Sequence, residues 1–278
     1  MGGVTSCVAN KLAFLPPKPA GYTVFRDSKT NRLSLSVLPY QQNADVLLLS
    51  TRCGTKIVAV YIRYPMATTT VLFSHGNASD LGTTYPYLVS LSSQLRVNIM
   101  GYDYSGYGQS TGTPSEENSY ADIEAALGYV EKSCGIRRED IILYGHSLGS
   151  GPTVELAFRF SRFKAVILQS PILSGFRVVY PTNESYWFDI YKNVDKIPMV
   201  DCPILVIHGT DDKVVRFSHG KTLWSLCKNK FEPLWIEGGD HNDLHEFPQF
   251  IPHLLSFLSA LDQKPLAPAP VSYDIKIR

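Results

Sequence analysis

An α/β fold with a mainly parallel, twisted sheet, helices on both faces and an antiparallel start is what this 278-residue sequence predicts. Three observations lead there. Short apolar, β-branched runs alternate with stretches of helical periodicity, the pattern of β-α-β units that cover both faces of a parallel sheet. The first two runs, residues 45–51 and 57–64, are separated only by Arg52-Cys53-Gly54-Thr55-Lys56, too little chain for a crossover, so they read as a hairpin. Hydrophobic residues make up 44% of the chain and charged ones 18%, which supports a sizeable core.

Residues 70–75 form the next strand, ending in His75-Gly76-Asn77; Leu81–Leu95 follows as a helix and 97–102 as a strand. Across 115–133, Tyr120, Ile123, Ala126, Leu127 and Val130 recur at helical spacing, with Ser115 as the cap. Ile141-Ile142-Leu143-Tyr144 is a strand that runs into a glycine-flanked turn and a helix over 152–160. Ala165–Gln169, 203–208 and 233–237 complete the strands, and 218–228 and 247–261 the helices. The single domain is expected over 21–261, preceded by an N-terminal segment, 1–20. A proline-rich tail, 262–278, in which periodicity stops, is expected to be poorly ordered.

Composition narrows the function. A net charge of +1 without a basic stripe points away from nucleic acid. The five cysteines, Cys7, Cys53, Cys134, Cys202 and Cys227, are odd in number, scattered and without C-x-x-C spacing. That pattern argues against a disulfide framework or a metal site and fits a reducing compartment. No apolar run reaches the length of a membrane-spanning helix, and no secretory leader is expected. The first residues, Met1-Gly2-Gly3-Val4-Thr5-Ser6, instead fit the M-G-x-x-x-[ST] myristoylation pattern with Gly2 as acceptor. One myristoyl chain binds a bilayer only marginally, with an association constant of about 10⁴ M⁻¹, and stable anchoring takes two signals. Cys7 is placed to be the second through S-palmitoylation.

The chemistry gathers on Gly145-His146-Ser147-Leu148-Gly149. Between a strand and a helix, G-x-S-x-G is a nucleophile elbow: the serine sits on a sharp, strained turn and chain passes close to the glycines. Ser147 is therefore the candidate nucleophile, and the amide of Leu148 one candidate donor to an oxyanion. A serine hydroxyl is a weak nucleophile at neutral pH and needs a base that is itself oriented by a third group. Two later strand ends supply candidates in the order acid, then base: His208-Gly209-Thr210-Asp211-Asp212 and Gly238-Gly239-Asp240-His241. Asp211 and Asp212 are adjacent, and the spacing alone leaves either as the acid. Among seven histidines His241 is the candidate base, because it follows two glycines on such a loop; His245 lies four residues on. His75, His146 and His208 read as hydrogen-bonding structural residues, and His219 and His253 as packing or surface residues on helices. The second oxyanion donor is expected from His75-Gly76-Asn77-Ala78, with the Asn77 amide as candidate. No cofactor and no metal are called for by these residues.

His75-Gly76-Asn77-Ala78, Tyr102-Asp103-Tyr104-Ser105-Gly106-Tyr107-Gly108, the serine elbow, the H-G-x-x-D of 208–212 and Gly239-Asp240-His241-Asn242-Asp243 together resemble the α/β-hydrolase superfamily. More narrowly, Lys11-Leu12-Ala13-Phe14-Leu15-Pro16-Pro17, Phe217-Ser218-His219-Gly220 and Glu232-Pro233-Leu234-Trp235-Ile236-Glu237-Gly238 resemble the α/β hydrolase domain-containing protein 17 family. The resemblance runs from about residue 11 to about residue 261. It implies an α/β-hydrolase fold with a short cap, and it places the acid at Asp212. It also implies a palmitoyl-protein thioesterase that removes S-acyl groups from cysteines of membrane-anchored proteins at the cytosolic face. Better-known members begin with a cluster of palmitoylated cysteines, whereas this chain has Cys7 alone behind Gly2. Peripheral, lipid-anchored attachment is still implied; a particular membrane is not.

The segment between Gln169 and Pro203, where such folds insert a cap, holds only about thirty residues and is rich in Phe176, Val178, Val179, Tyr180, Tyr186, Trp187, Phe188 and Tyr191. It reads either as an acyl-lining flap open to a protein substrate or as packing against the helix layer. The competing functions are a carboxylesterase or lipase using the same residues, and a receptor or scaffold with a vestigial triad.

Overall fold

The computed structural model describes residues 14–28, 30–37, 43–180, 182, 184 and 186–263. Gly2, Cys7 and nearly all of the C-terminal tail lie outside the described residues, and with them the expectations made of lipidation and order there. A small antiparallel ribbon opens the description, β1 (Val24–Arg26) with β2 (Leu33–Leu35). An eight-stranded sheet follows. β3 (Ala44–Ser50) and β4 (Lys56–Ile62) form the expected hairpin, with Leu47 opposite Ala59. β5 (Thr70–Ser74) leads through helix α1 (Leu81–Leu95) to β6 (Asn98–Tyr102), and from there helix α2 (Glu116–Lys132) leads to β7 (Ile141–His146). Helix α3 (Ser150–Arg159) and β8 (Ala165–Gln169) come next, then two short helices, α4 (Gly175–Val179) and α5 (Asn193–Lys196). β9 (Ile204–Gly209), helix α6 (Phe217–Leu226), β10 (Leu234–Ile236) and helix α7 (Phe250–Gln263) complete the domain.

The strand order is β10-β9-β8-β7-β5-β6-β4-β3. β4 runs antiparallel to β3 and β6, and the other pairings of this sheet are parallel. Parallel strands are covered on both faces, so β5, β8 and β9 are mainly apolar and buried along their whole length. The two-residue period then splits each strand between two cores. In β7, Ile141 and Leu143 join the core under α2, α3 and α6, while Ile142 and Tyr144 join the core under α1 and α7.

Local chemistry fixes the helix starts near the site. Asp80 caps α1 by accepting from Thr83 N at 3.1 Å, and Thr83 Oγ1 accepts from Asp80 N at 3.2 Å. Ser115 Oγ accepts from Asn118 N at 3.1 Å as the cap of α2, and Glu116 and Glu117 fill its positive first turn. The expected elements are present, α1 and β8 with the expected ends and the others with ends displaced by up to three residues. The β1–β2 ribbon, α4 and α5 were beyond sequence periodicity, since pieces of three to five residues are shorter than one period can establish. Within the N-terminal segment, the ring of Phe14 is buried against Tyr107 and Tyr191. Among the described residues no helix is long and apolar enough to cross a membrane.

This topology positions the site. From β5 the chain moves to β6 on one side and then crosses back to β7 on the other. The order reverses between β5 and β7, and in open α/β sheets ligands bind beyond the carboxyl ends of strands at such a switch point.

Candidate active site

Ser147 stands at that point, immediately after β7. Its φ is +53°, in the left-handed region that a side chain enters only under constraint. A short 3₁₀ turn, Ser147–Gly149, joins it to α3. The two flanking glycines are required by what passes them. A Cβ on Gly145 would lie 2.7 Å from Gly149 O and 2.8 Å from Ser150 Cα. A Cβ on Gly149 would fall onto the backbone of Ser74 and within 2.8 Å of His75 O. The sharp turn and the close approach expected of the pentapeptide are thus both present.

The structure brings the expected acid and base to this serine. Ser147 Oγ–H donates to His241 Nε2 at 2.9 Å, and His241 Nδ1–H donates to Asp212 Oδ2 at 2.7 Å. A carboxylate can only accept, so the hydrogen sits on Nδ1 and Nε2 is left as the acceptor. All three residues are buried, and Asp212 is held on both oxygens. Oδ1 accepts from Val214 N at 2.9 Å and Val215 N at 2.7 Å, and His208 Nε2 lies 3.2 Å from Oδ2. Burial alone would raise the Asp212 carboxyl; hydrogen bonds from His208, His241 and Val215 N–H outweigh it and hold the group well below the usual range. Asp212 therefore stays ionised opposite His241. Asp211, left open by the spacing, is exposed and accepts from Thr210 Oγ1 at 3.1 Å.

Three supporting residues surround this relay. His208, read from sequence as structural, touches the acid directly; the signal was its i, i+4 spacing to Asp212. Asp240 ties the acid loop to the base loop, accepting from Lys213 N at 3.0 Å and His241 N at 2.8 Å. The His146 ring lies tilted, 5.4 Å from that of His241, and burial together with the neighbouring His241 pushes it down to about 3. It is uncharged at neutral pH and places no competing cation beside the base. His245 is exposed against Tyr87, and His219 is buried, accepting from Leu173 N at 3.2 Å. His253 lies on α7 and donates to Glu232 O at 2.9 Å.

The loop after β5 lies beside the nucleophile: a Cβ on Gly76 would sit 3.6 Å from Ser147 Cβ. Asn77 follows in that loop, and Ala78 turns it with a φ of +55°. Leu148 is among the first amides of the turn into α3, the positions with no carbonyl partner one turn back. Of the residues expected to supply the donors, Leu148 follows Ser147 directly and Asn77 follows Gly76, which lies beside Ser147. The flap divides between burial and exposure. Tyr191 and Ile190 are buried against the helix layer, while Val179, Tyr180 and Trp187 are exposed at 69%, 59% and 69%. Phe176 stacks on Tyr180 at 4.9 Å and meets Phe188 edge-on at 5.4 Å.

A mainly parallel α/β sheet with a Ser–His–Asp relay at its switch point defines the class: a serine hydrolase of the α/β-hydrolase fold. Comparisons with known proteins narrow it. A family model described as serine aminopeptidase, S33, matches residues 65–187. Human α/β hydrolase domain-containing protein 17B is 44% identical over 263 residues, covering 91% of this chain and 91% of its own. The Caenorhabditis elegans relative aho-3 is 42% identical over 261 residues, covering 91% of this chain and 78% of its own. The chain belongs to the α/β hydrolase domain-containing protein 17 family. Among solved structures, the Pyrococcus furiosus esterase Pf2001 is similar with a TM-score of 0.66 at 15% identity, covering 78% of this chain and 90% of that one. Est1E from Butyrivibrio proteoclasticus is similar with a TM-score of 0.65 at 18% identity, covering 78% and 100%.

Proposed function

We propose that this protein removes S-acyl groups, palmitoyl among them, from cysteines of membrane-anchored proteins at the cytosolic face of a membrane. The observation that carries the hydrolytic part is the continuous relay from Ser147 through His241 to an ionised Asp212. His241 Nε2 takes the Ser147 proton as Oγ attacks the thioester carbonyl. The carbonyl electron pair moves onto oxygen, where the Asn77 and Leu148 amides receive it. The C–S bond then breaks, the cysteine sulfur leaves and takes the proton from His241, and Ser147 is left acylated. Water, deprotonated by His241, attacks the acyl carbon; the second tetrahedral species releases the fatty acid and returns the proton to Ser147. No metal or cofactor enters these steps.

The choice of protein thioesters rests on membership of this family, on the short flap with its exposed aromatic side chains, and on the expected anchor at Gly2 and Cys7. A doubly acylated N-terminus would hold the serine where acylated cysteines are. The proposed arrangement is an N-terminal anchor segment, the hydrolase domain and a short tail. The deciding experiment compares wild type with Ser147→Ala. Fluorophosphonate labelling should be present in the first and absent in the second, and acyl-exchange proteomics should show substrates losing acyl groups only with the first. Faster turnover of oxyesters than of matched thioesters would turn the reading to a carboxylesterase. A folded wild type that does not label would turn it to a scaffold. Gly2→Ala is expected to release the protein from membranes in cell fractionation.

A further inference from the structure

The Tyr102-Asp103-Tyr104-Ser105-Gly106-Tyr107-Gly108 motif takes no part in the relay, yet Asp103, Tyr104 and Tyr107 are essentially buried. We infer that His75, lying beside Asp103 and braced by Tyr104 and Tyr107 of this motif, is the positioning residue of the oxyanion site: it sets the plane of the peptide joining Gly76 to Asn77. The inference rests on the proposed role of the Asn77 amide. Gly76 C=O and Asn77 N–H belong to one planar unit and point in opposite directions, so whatever fixes the carbonyl aims the amide. His75 Nδ1–H donates to Gly76 O at 2.8 Å; a carbonyl can only accept, so the hydrogen is on Nδ1. That bond also polarises the peptide and strengthens its N–H as a donor.

The same loop is held at both neighbouring residues. Tyr104 OH donates to His75 O at 2.6 Å, and Asn77 Oδ1 accepts from Tyr107 OH at 2.7 Å and from Leu15 N at 2.9 Å. The His75 ring is fixed in turn, 4.3 Å from the Tyr104 ring and 5.6 Å from that of Tyr107. Its far nitrogen, Nε2, has no hydrogen-bond partner among the described residues and lies 3.4 Å from Asp103 Oδ1. Asp103 is anchored by Leu81 N at 2.8 Å and by the Tyr22 hydroxyl. Gly108, at a φ of +51°, leaves room for that carboxylate where a Cβ would collide with it. The motif is thus a platform under the oxyanion loop.

The test uses Tyr107→Phe, His75→Ala and His75→Gln in the full chain, with a p-nitrophenyl ester of a medium-chain fatty acid as substrate. A trifluoromethyl ketone, which Ser147 converts to a hemiketal oxyanion, serves as the transition-state probe. Misplacing a reacting group by about 1 Å can lower a rate about 10²-fold. Tyr107→Phe is expected to lose about tenfold in kcat and His75→Ala about a hundredfold, with KM unchanged. Inhibition by the ketone should weaken by the same factors, while binding of the fatty-acid product stays constant. His75→Gln, whose amide can still donate to a carbonyl, should recover part of the loss. If Tyr107→Phe melts like wild type and keeps both kcat and ketone affinity, the inference is overturned while the hydrolase reading stands. If product binding falls in step with kcat, the motif is only structural and the inference is again overturned. A wild type that neither hydrolyses the ester nor labels at Ser147 would remove the hydrolase reading itself, and this inference with it.

Discussion

Replacing Asp212 by asparagine separates the acid from its neighbour and tests the relay at its buried end. In the native site Asp212 Oδ1 accepts from Val214 N and Val215 N, and Oδ2 faces His241 Nδ1 at 2.7 Å and His208 Nε2 at 3.2 Å. An asparagine keeps its oxygen on the two backbone amides, so its NH₂ takes the place of Oδ2. A donor then faces His241 Nδ1. The imidazole is satisfied only by moving its hydrogen to Nε2, where it can no longer accept the Ser147 proton. Loss of the correct tautomer in a Ser–His–Asp triad lowers kcat about 10⁴-fold, equivalent to about 5 kcal/mol of barrier. Ester hydrolysis by Asp212→Asn, measured beside Asp211→Asn, should show that drop for the first variant and wild-type rates for the second. Stability should respond as well. The carboxyl is depressed in the folded state, so it stabilises the fold above its unfolded value, near 4, and that contribution fades as pH falls. Asp212→Asn should therefore melt with a flatter pH dependence on the acid side. A rate within tenfold of wild type, or an equal loss in Asp211→Asn, would refute the assignment.

Three further outcomes follow from the geometry. Ser147 holds a left-handed φ, so Ser147→Gly should melt above Ser147→Ala by about 1 kcal/mol in stability; the reverse order in thermal unfolding would mean the turn is not strained. Burial raises the Asp122 carboxyl to about 6 against the opposing hydrogen bonds of Ser105, so folded protein binds its proton more tightly than unfolded chain and stability declines as pH rises from about 4 to 6. Asp122→Asn should remove that decline and gain at most about 3 kcal/mol at pH 7, read as a rise in Tm at pH 7 that is absent at pH 4. Trp187 is 69% exposed, so Trp187→Ala should change stability by no more than about 0.5 kcal/mol while altering acyl chain-length preference in thioester assays; unchanged preference would exclude the flap from the acyl path.

The parts of this site that were legible in the sequence are those where backbone geometry forces a residue type. Gly145 and Gly149 are visible because β7, the turn and the backbone of Ser74 leave no space for a Cβ, and Ser147 is visible between them. His241 could be read because its loop follows a strand, as each member of such a relay must. The choice between Asp211 and Asp212 was not available from spacing, because it depends on which of two adjacent side chains turns inward. That is settled by tertiary contacts with Val214, Val215 and His208, and only the family pattern anticipated it. His208 and His75 were hidden for a related reason: both sit at strand ends, and what distinguishes them is a partner far away in space. The flap was half legible, since aromatic residues suit both burial and exposure, and the structure assigns Tyr191 to one and Trp187 to the other.

The distribution of strain gives the sheet its role in the chemistry. Ala78, Ser147 and Ser170 all carry left-handed φ angles, +55°, +53° and +46°, and they lie just beyond the carboxyl ends of β5, β7 and β8, three adjacent strands. Ser170 Oγ reaches His241 O at 3.5 Å, so the third of these turns touches the backbone of His241, the second carries Ser147, and the first lies in the loop of Gly76 and Asn77. Such residues are unfavourable by about 1–3 kcal/mol each and persist only where the surroundings over-determine them. Here the surroundings are strands with no exposed residue, packed between two apolar cores. A softer sheet would let the turns relax, and relaxation of the turn at Ser147 would lengthen its contact with His241. The burial that makes the central strands featureless in sequence is therefore what holds Ser147 on its turn, within 2.9 Å of His241.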